Sequence, residues 1–344
     1  MNVLAYYASL RVFAYCDIMP PMNTEQTAAK LLSSMEKVIK GKKDVLRFFI
    51  TAYLTGGHVL LEDVPGVGKT TLVKTFAALI EEDGTPARFR RIQCTPDLLP
   101  YDITGVEVFN AERNVFEFME GPVFADILLA DELNRTPPKV QSALLEAMAE
   151  RQVTAGTITR PLSPFFFTAA TQNPVESLGT YPLPAAQLDR FSMCFSIGYP
   201  DEEAECALLH EQTGTAATEP IIPVVSMHDI EASRNEQRQV FIHPALEKII
   251  AGIGKATRIH PAFRLGASPR AGLHLLQLAR TFALINGRNW VEDRDIRLLA
   301  PLVLAHRCLI KNGNGQASEL ICEVTETVIR ATDKKTDWTQ TAGE

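Results

Sequence analysis

Lys69-Thr70-Thr71 directly follows a short Pro/Gly turn, Pro65-Gly66-Val67-Gly68, and residue types in that order suit the holding of phosphate. Glycines let successive backbone N–H groups turn toward an anion. A helix opening at the same point adds its unpaired amides and the positive end of its dipole. Lys69 would reach β/γ-phosphates as a compact charge, and the Thr70 hydroxyl would sit on Mg²⁺. The strict spacing G-x-x-x-x-G-K-[ST] places Asp63 where the first glycine belongs. A carboxylate aimed at the phosphates would repel them, so Asp63 is expected to face away or to pair with a cation. The bland reading is a strand–turn–helix corner carrying a chance Gly-Lys-Thr.

Three more polar markers stand beside apolar runs. Asp131-Glu132 closes Ile127-Leu128-Leu129-Ala130, and Asn173 follows the run 165–170 after Thr171-Gln172. Arg190, within Leu188-Asp189-Arg190-Phe191, precedes a short run at 193–197. Continuously apolar runs of this length read as parallel strands buried on both faces, and ligands of such sheets sit outside their carboxyl ends. All four markers are therefore expected to converge on one rim. The competing readings are an acidic solvent turn for Asp131-Glu132, a turn former for Asn173, and a pair with Asp189 or a surface cation for Arg190.

The elements that must position these residues follow from periodicity. Apolar residues at helical spacing predict helices over 24–40, stopping at Gly41, and over 44–54, stopping at Gly56-Gly57. Strands are expected over 58–62, 88–93, 127–130 and 165–170, with a helix from Pro137 to about Glu150 and another over 201–212. Alternating runs around Asn110 to Asn114 predict a hairpin over 104–120. Residues 213–240 read as an irregular linker, 241–335 as a domain of four helices, 1–23 as an extension and 336–344 as a tail. Strands alternating with helices before the linker imply an α/β core on a parallel sheet.

Composition narrows the function. With 344 residues, 46% hydrophobic and 22% charged, the chain reads as about two soluble globular domains. A net charge of −7 disfavours stable nonspecific nucleic-acid binding. Six cysteines without a C-x-x-C and seven histidines without H-E-x-x-H support neither a disulfide framework nor a zinc site; reduced core thiols in a cytoplasmic protein are the expectation. No run reaches the length of a membrane span. The first residues faintly resemble a signal peptide, but Arg11 interrupts them, and a start at Met19 or Met22 is an alternative.

Longer stretches now carry a resemblance. GGHVLLEDVPGVGKTTL looks like the Walker A region of the MoxR-type AAA+ ATPases, and DILLADELNRTPPKVQSALLEAMAERQVT like their Walker B strand and following helix. FFFTAATQNPVESLGTYPLPAAQLDRF is similar to their sensor 1 and arginine-finger stretch, and LGASPRAGLHLLQLAR to their sensor 2 helix. The similarity runs collinearly over roughly residues 30–335. It implies an AAA+ P-loop core with a five-stranded parallel sheet and an all-α lid, and hydrolysis of ATP with Mg²⁺.

By the same resemblance, Pro65, Gly66, Val67, Gly68, Lys69, Thr70 and Thr71 bind the phosphates. Thr70 holds Mg²⁺ with Asp131 as outer partner, Glu132 polarises the attacking water, and Asn173 senses the γ-phosphate. Arg190 is the arginine finger entering a neighbouring subunit, Arg270 is the sensor 2 arginine, and Val38, Ile39 and Gly41 surround adenine. Arg258 and Arg264 compete with Arg270, and Arg135 is a further interface candidate. The resemblance also implies a homo-oligomeric ring, a hexamer, a substrate-facing hairpin at 104–120, and chaperone-like work on a client complex with a von Willebrand factor A domain partner. A metal-chelatase motor subunit and a nucleotide-gated scaffold that barely hydrolyses ATP are the alternatives; Asp63 is the main argument for the second.

Overall fold

The computed structural model describes residues 21–173, 179–203, 205–206, 221–311 and 316–334. The expected extension (all but 21–23), most of the helix over 201–212, the start of the linker and the tail lie outside them. Helix α1 (Thr24–Val38) is capped by Asn23, whose side chain accepts from the Gln26 amide, and ends before Gly41 at φ +67°. Helix α2 (Lys43–Thr55) closes on Gly56 at φ +79°, a left-handed stop that favours glycine. Strand β1 (Val59–Glu62) follows, then the glycine loop and helix α3 (Lys69–Ala78).

Strands β2 (Phe89–Gln93), β3 (Ile127–Asp131), β4 (Phe167–Gln172) and β5 (Met193–Phe195) complete a five-stranded sheet in the order β5-β1-β4-β3-β2. Every pairing in it is parallel. Helix α4 (Pro138–Glu150) connects β3 toward β4. The unbroken apolar runs are explained by burial on both faces: Val59, Leu61, Ile127 and Leu129 face one core, and Leu60, Leu128 and Ala130 face the other. In the first core Phe49 and Tyr53 of α2 meet Phe76 of α3 and Phe167 of β4 edge to face, with centroids 4.9–5.3 Å apart.

The expected irregular linker is corrected over part of its length. Residues Met227–Gln237 form helix α5, held by a reciprocal Ser226–Asp229 capping box and packed on α1 and α2. Its sequence is polar apart from Met227, Ile230 and Ala232, too few apolar residues for a helical period; the cap signature was the available signal. The four expected lid helices are α6 (Pro244–Ile259), α7 (Pro269–Ile285), α8 (Asp293–Leu304) and α9 (Ala317–Asp333). The lid is not wholly α, because Phe263–Leu265 pairs antiparallel with Leu309–Ile310. It shares the first core, with Ile249, Leu275 and Leu299 in the same cluster as Phe49 and Leu31.

The expected hairpin is Gly105–Asn110 against Val115–Glu120. A second hairpin, Gln152–Ala155 against Ile158–Pro161, was not anticipated. The alternation Val153, Ala155, Ile158 around Gly156 at φ +60° was its signature. No helix among the described residues is long and apolar enough to cross a membrane.

Candidate functional site

The loop between β1 and α3 carries Gly66 at φ +89° and Gly68 at φ +87°, and a Cβ added to either would meet nothing within 4 Å. Conformation, and not crowding, requires glycine there. The Lys69 ammonium lies across the loop, donating to the carbonyls of Asp63 (2.8 Å) and Val64 (3.2 Å). Thr70 and Thr71 occupy the first turn of α3, where its amides lack intrahelical partners. A half-buried lysine over two left-handed glycines at a helix start forms a cradle that fits a phosphate.

Asp63 is buried, yet it does not threaten that cradle. Its carboxylate accepts from Ser196 Oγ (2.5 Å) and from the amides of Ile197 (2.5 Å) and Gly198 (3.1 Å), all on the chain leaving β5. It faces away, as one of the two expectations required, and pairs with no cation among the described residues. Asp63 is also absent from the residues with positive φ, so no glycine is needed at that position. Lys42, next to Gly41, donates to the Tyr199 carbonyl at 2.5 Å. The segment 196–199 therefore ties the end of α1, where Val38 and Ile39 lie, to the start of the loop.

Register brings the other markers alongside. Glu62 pairs with Gln172, Ala170 with Ala130, and Gln93 with Asp131, so the exits of β1, β4, β3 and β2 are neighbours. The buried Asp131 carboxylate accepts from Thr171 Oγ1 (2.7 Å) and from Arg91 Nη2 (2.6 Å). The Glu132 amide donates to the same Thr171 oxygen at 2.8 Å. Glu132 adopts φ +59°, the left-handed region that disfavours a glutamate; such strain is characteristic of functional positions. Its Oε2 accepts from Gln93 Nε2 (3.0 Å) and lies 3.2 Å from Arg135 Nε. Asn173 is buried directly after β4, and its carbonyl accepts from Asn134 Nδ2 at 3.3 Å. A hydroxyl at Thr70 and a carboxylate at Asp131, both oxygen donors, suit Mg²⁺ bound largely through phosphate.

Arg190 is the correction to the single expected rim. It precedes β5, whose Met193 pairs with Val59 at the start of β1, so it lies at the amino end of the sheet. There Arg190, Arg270, Arg151, His58 and His274 line a cavity of about 230 Å³. Six residue steps lead from Gly57 to Asp63, so the two rims are about 20 Å apart at ~3.3 Å per residue. Arg190 does not pair with Asp189; it donates to the Leu145 carbonyl at 2.8 Å. Asp189 accepts from Ser268 Oγ at 2.9 and 3.0 Å and meets Arg307 Nε at 3.1 Å.

Among the three lid arginines weighed, Arg270 shares the cavity with Arg190. Arg258 donates to the Ala267 carbonyl at 2.8 Å, and Arg264 sits exposed on the small lid strand. Arg270 itself is exposed and pairs with no carboxylate among the described residues. His58 donates through Nε2 to the Met148 carbonyl (3.2 Å) and accepts the Thr168 amide at Nδ1 (3.0 Å). Burial, then the Arg151 charge, push its pKa down to about 3, against a weaker upward pull from Met148. His274 is likewise pushed down to about 3 by burial and by Arg307 and Arg270. Both imidazoles are neutral, so the cavity's charge is that of its arginines.

Sequence reasoning missed Arg91, Gln93 and Thr171, which bind Asp131 and Glu132. The signal lay in the alternation of polar side chains on the strand preceding the acidic one, which becomes informative only once β2 is paired with β3.

Comparison with known proteins follows the same division. Residues 58–193 match the ATPase family associated with various cellular activities (AAA), and residues 255–326 match the AAA lid domain. The chain is 43% identical over 303 residues to the uncharacterised protein YeaC of Bacillus subtilis, covering 87% of this chain and 93% of that one. It is 38% identical over 320 residues to the chaperone MoxR1 of Mycobacterium tuberculosis, covering 89% and 83%. A crystal structure of a candidate ATPase from Cytophaga hutchinsonii superposes with a TM-score of 0.81 at 36% identity, over 98% of this chain and 100% of that one.

Proposed function

The chain belongs to the MoxR-type AAA+ ATPases, and from that premise we propose that it binds ATP with Mg²⁺ at the loop 65–71, hydrolyses it within a ring of identical subunits, a hexamer, and uses the cycle to remodel a client protein complex. The observation that carries this reading is the separation of the two rims. Lys69, Thr70, Asp131, Glu132 and Asn173 share the carboxyl ends of the strands, whereas Arg190 and Arg270 share the opposite end. A subunit's own arginines are too distant to serve its own loop, so a second copy completes the site.

Each side chain then has a task. Lys69 exchanges its two loop carbonyls for the β/γ-phosphates, while the loop amides and the start of α3 take the remaining oxygens. Mg²⁺ would be held by Thr70 with Asp131 as outer partner, and supplies neutralisation of phosphate charge. Glu132 orients the attacking water and accepts its proton, with Gln93 and Arg135 fixing the carboxylate. Asn173, buried between the loop and the acidic pair, reads the terminal phosphate, and Val38, Ile39 and Gly41 flank adenine. Phosphoryl transfer depends on positioning and charge stabilisation, and an arginine supplied in trans contributes on the order of 10³ to 10⁵ in rate. Chaperone-like work draws support from the relative MoxR1, named a chaperone. The hairpin Gly105–Asn110/Val115–Glu120 is the client-facing element, and a protein with a von Willebrand factor A domain is the expected partner.

Nucleotide titration and steady-state ATPase assays test this. Lys69→Ala should lose ATP binding. Glu132→Gln should keep it while turnover falls about 10²- to 10⁴-fold. Equal, background turnover in wild type and Glu132→Gln would replace the motor by a nucleotide-gated scaffold.

A further inference from the structure

Arg307 is only 3% exposed, at the end of the turn Ala305–Arg307 behind α8, yet it keeps a charge. Its guanidinium reaches Arg190 from both sides without touching it. Nε lies 3.1 Å from Asp189 Oδ1 as an ion pair, and Nη2 donates to the Phe191 carbonyl. Nη2 also donates to His274 Nδ1 at 2.6 Å, and Nη1 to the Val303 carbonyl at 2.5 Å. Burial pushes its pKa down to about 10, with Asp189 opposing the shift, so it remains protonated at neutral pH.

The partners of Arg307 lead to the second arginine. Asp189 accepts both contacts of Ser268 Oγ, and Ser268 caps α7 by accepting from the Ala271 amide at 3.1 Å. Arg270 lies two residues beyond that cap, and His274, bonded to Arg307, is one turn further along the same helix face. His306 adds a third lid contact, meeting the Phe191 carbonyl through Nε2 at 3.2 Å. Arg307 does not line the cavity formed by Arg190 and Arg270. It stands behind them, joined to the turn that bears one and the helix that bears the other.

We infer that Arg307, with Asp189 and Ser268, is a positioning clasp that presents Arg190 and Arg270 as one rigid two-cation unit toward the terminal phosphate on an adjoining copy. A buried ion pair is weak evidence for stability, because desolvation offsets much of the Coulomb gain. Fixing geometry is a task that an apolar replacement would not perform. Asp189 is engaged by Arg307 and Ser268, and Arg190 donates to the Leu145 carbonyl instead of pairing with it. The lid and the finger turn therefore move together, and any rotation of the lid displaces both cations at once.

The inference rests on the reading that Arg190 acts on a second copy, and the experiment separates the two. ATPase activity, ATP affinity and thermal stability are measured for wild type, Arg190→Ala, Arg307→Lys and Asp189→Asn, alone and mixed with Glu132→Gln subunits. Arg307→Lys and Asp189→Asn should each lower kcat about 10- to 100-fold, the scale of a displacement near 1 Å, at unchanged ATP affinity. Mixing with Glu132→Gln, which has an intact arginine face, should restore turnover at composite interfaces. If Arg190→Ala is impaired and rescued while Arg307→Lys and Asp189→Asn turn over like wild type, the clasp is overturned and the trans reading stands. Loss of activity without rescue in verified mixed assemblies likewise overturns it, as a merely structural role would give. Wild-type turnover in Arg190→Ala removes the underlying reading instead. Should Arg307→Lys fail to fold, Asp189→Asn, close to isosteric, decides by the same readouts.

Discussion

Asp63 shows how a single residue can be misjudged from spacing. In a motif it occupies a glycine's place; in the fold it receives three donors from the chain leaving β5. Restoring the motif with Asp63→Gly would leave the buried amide of Ile197 and the half-buried amide of Gly198 without their acceptor. Each unsatisfied group costs about 1–3 kcal/mol. Chemical denaturation should therefore show Asp63→Gly to be less stable than wild type by at least that amount, with no gain in ATP affinity. A variant as stable as wild type would mean that the three contacts are dispensable. Lys69, Thr70, Asp131 and Glu132 could be singled out in the sequence because short spacings mark them. Arg91, Gln93 and Thr171 could not, because their meaning depends on which strand lies beside which.

At the scale of elements, the hairpin Gly105–Asn110/Val115–Glu120 divides into a braced base and an exposed end. Arg160 of the second hairpin lies 3.8 Å over the Phe118 ring and 3.6 Å from Glu107, fixing the inner part. Val108, Phe109, Phe116 and Met119 remain exposed, Phe116 by 70%. Phe116 meets the cross-strand Phe109 ring with centroids 5.2 Å apart, a pair of about 0.2–1 kcal/mol, so Phe116→Ser should change stability by no more than about 1 kcal/mol. The same substitution should reduce the client recovered with a Glu132→Gln trap held in ATP. Undiminished recovery would remove the hairpin's apolar end from client contact. The hairpin was visible in alternation, whereas helix α5 was hidden by its polarity and declared only by its cap.

For the whole molecule, three histidines held neutral by burial, His58, His274 and His306, make stability depend on pH. His58 has a folded pKa near 3, below the 6.5 of an unfolded imidazole. Above pH 6.5 both states are neutral and the group contributes no dependence. As pH falls from 6.5 toward 3, the unfolded chain takes up a proton that the folded chain refuses, so stability falls by up to about 1.4 kcal/mol per pH unit for each such group. Urea midpoints should drop between pH 7 and pH 5, and His58→Asn should flatten the slope over that window. An unchanged slope in a folded His58→Asn would assign the dependence to other groups. The folded state keeps these imidazoles neutral across that window, so acidification acts on the balance between folded and unfolded chain rather than on any contact within the fold.

The linear sequence determined the parallel sheet, the glycine loop before α3, the acidic pair at the end of β3 and the four lid helices. Those features depend on local propensity, on burial of whole strands and on spacings of a few residues. The tertiary structure alone decided that Arg190 and Arg270 share the amino end of the sheet, that Asp63 is satisfied by the exit of β5, and that Arg307 stands behind the two cations. Such facts depend on strand order and on which way each strand runs, and those are settled by packing between residues as far as 135 positions apart.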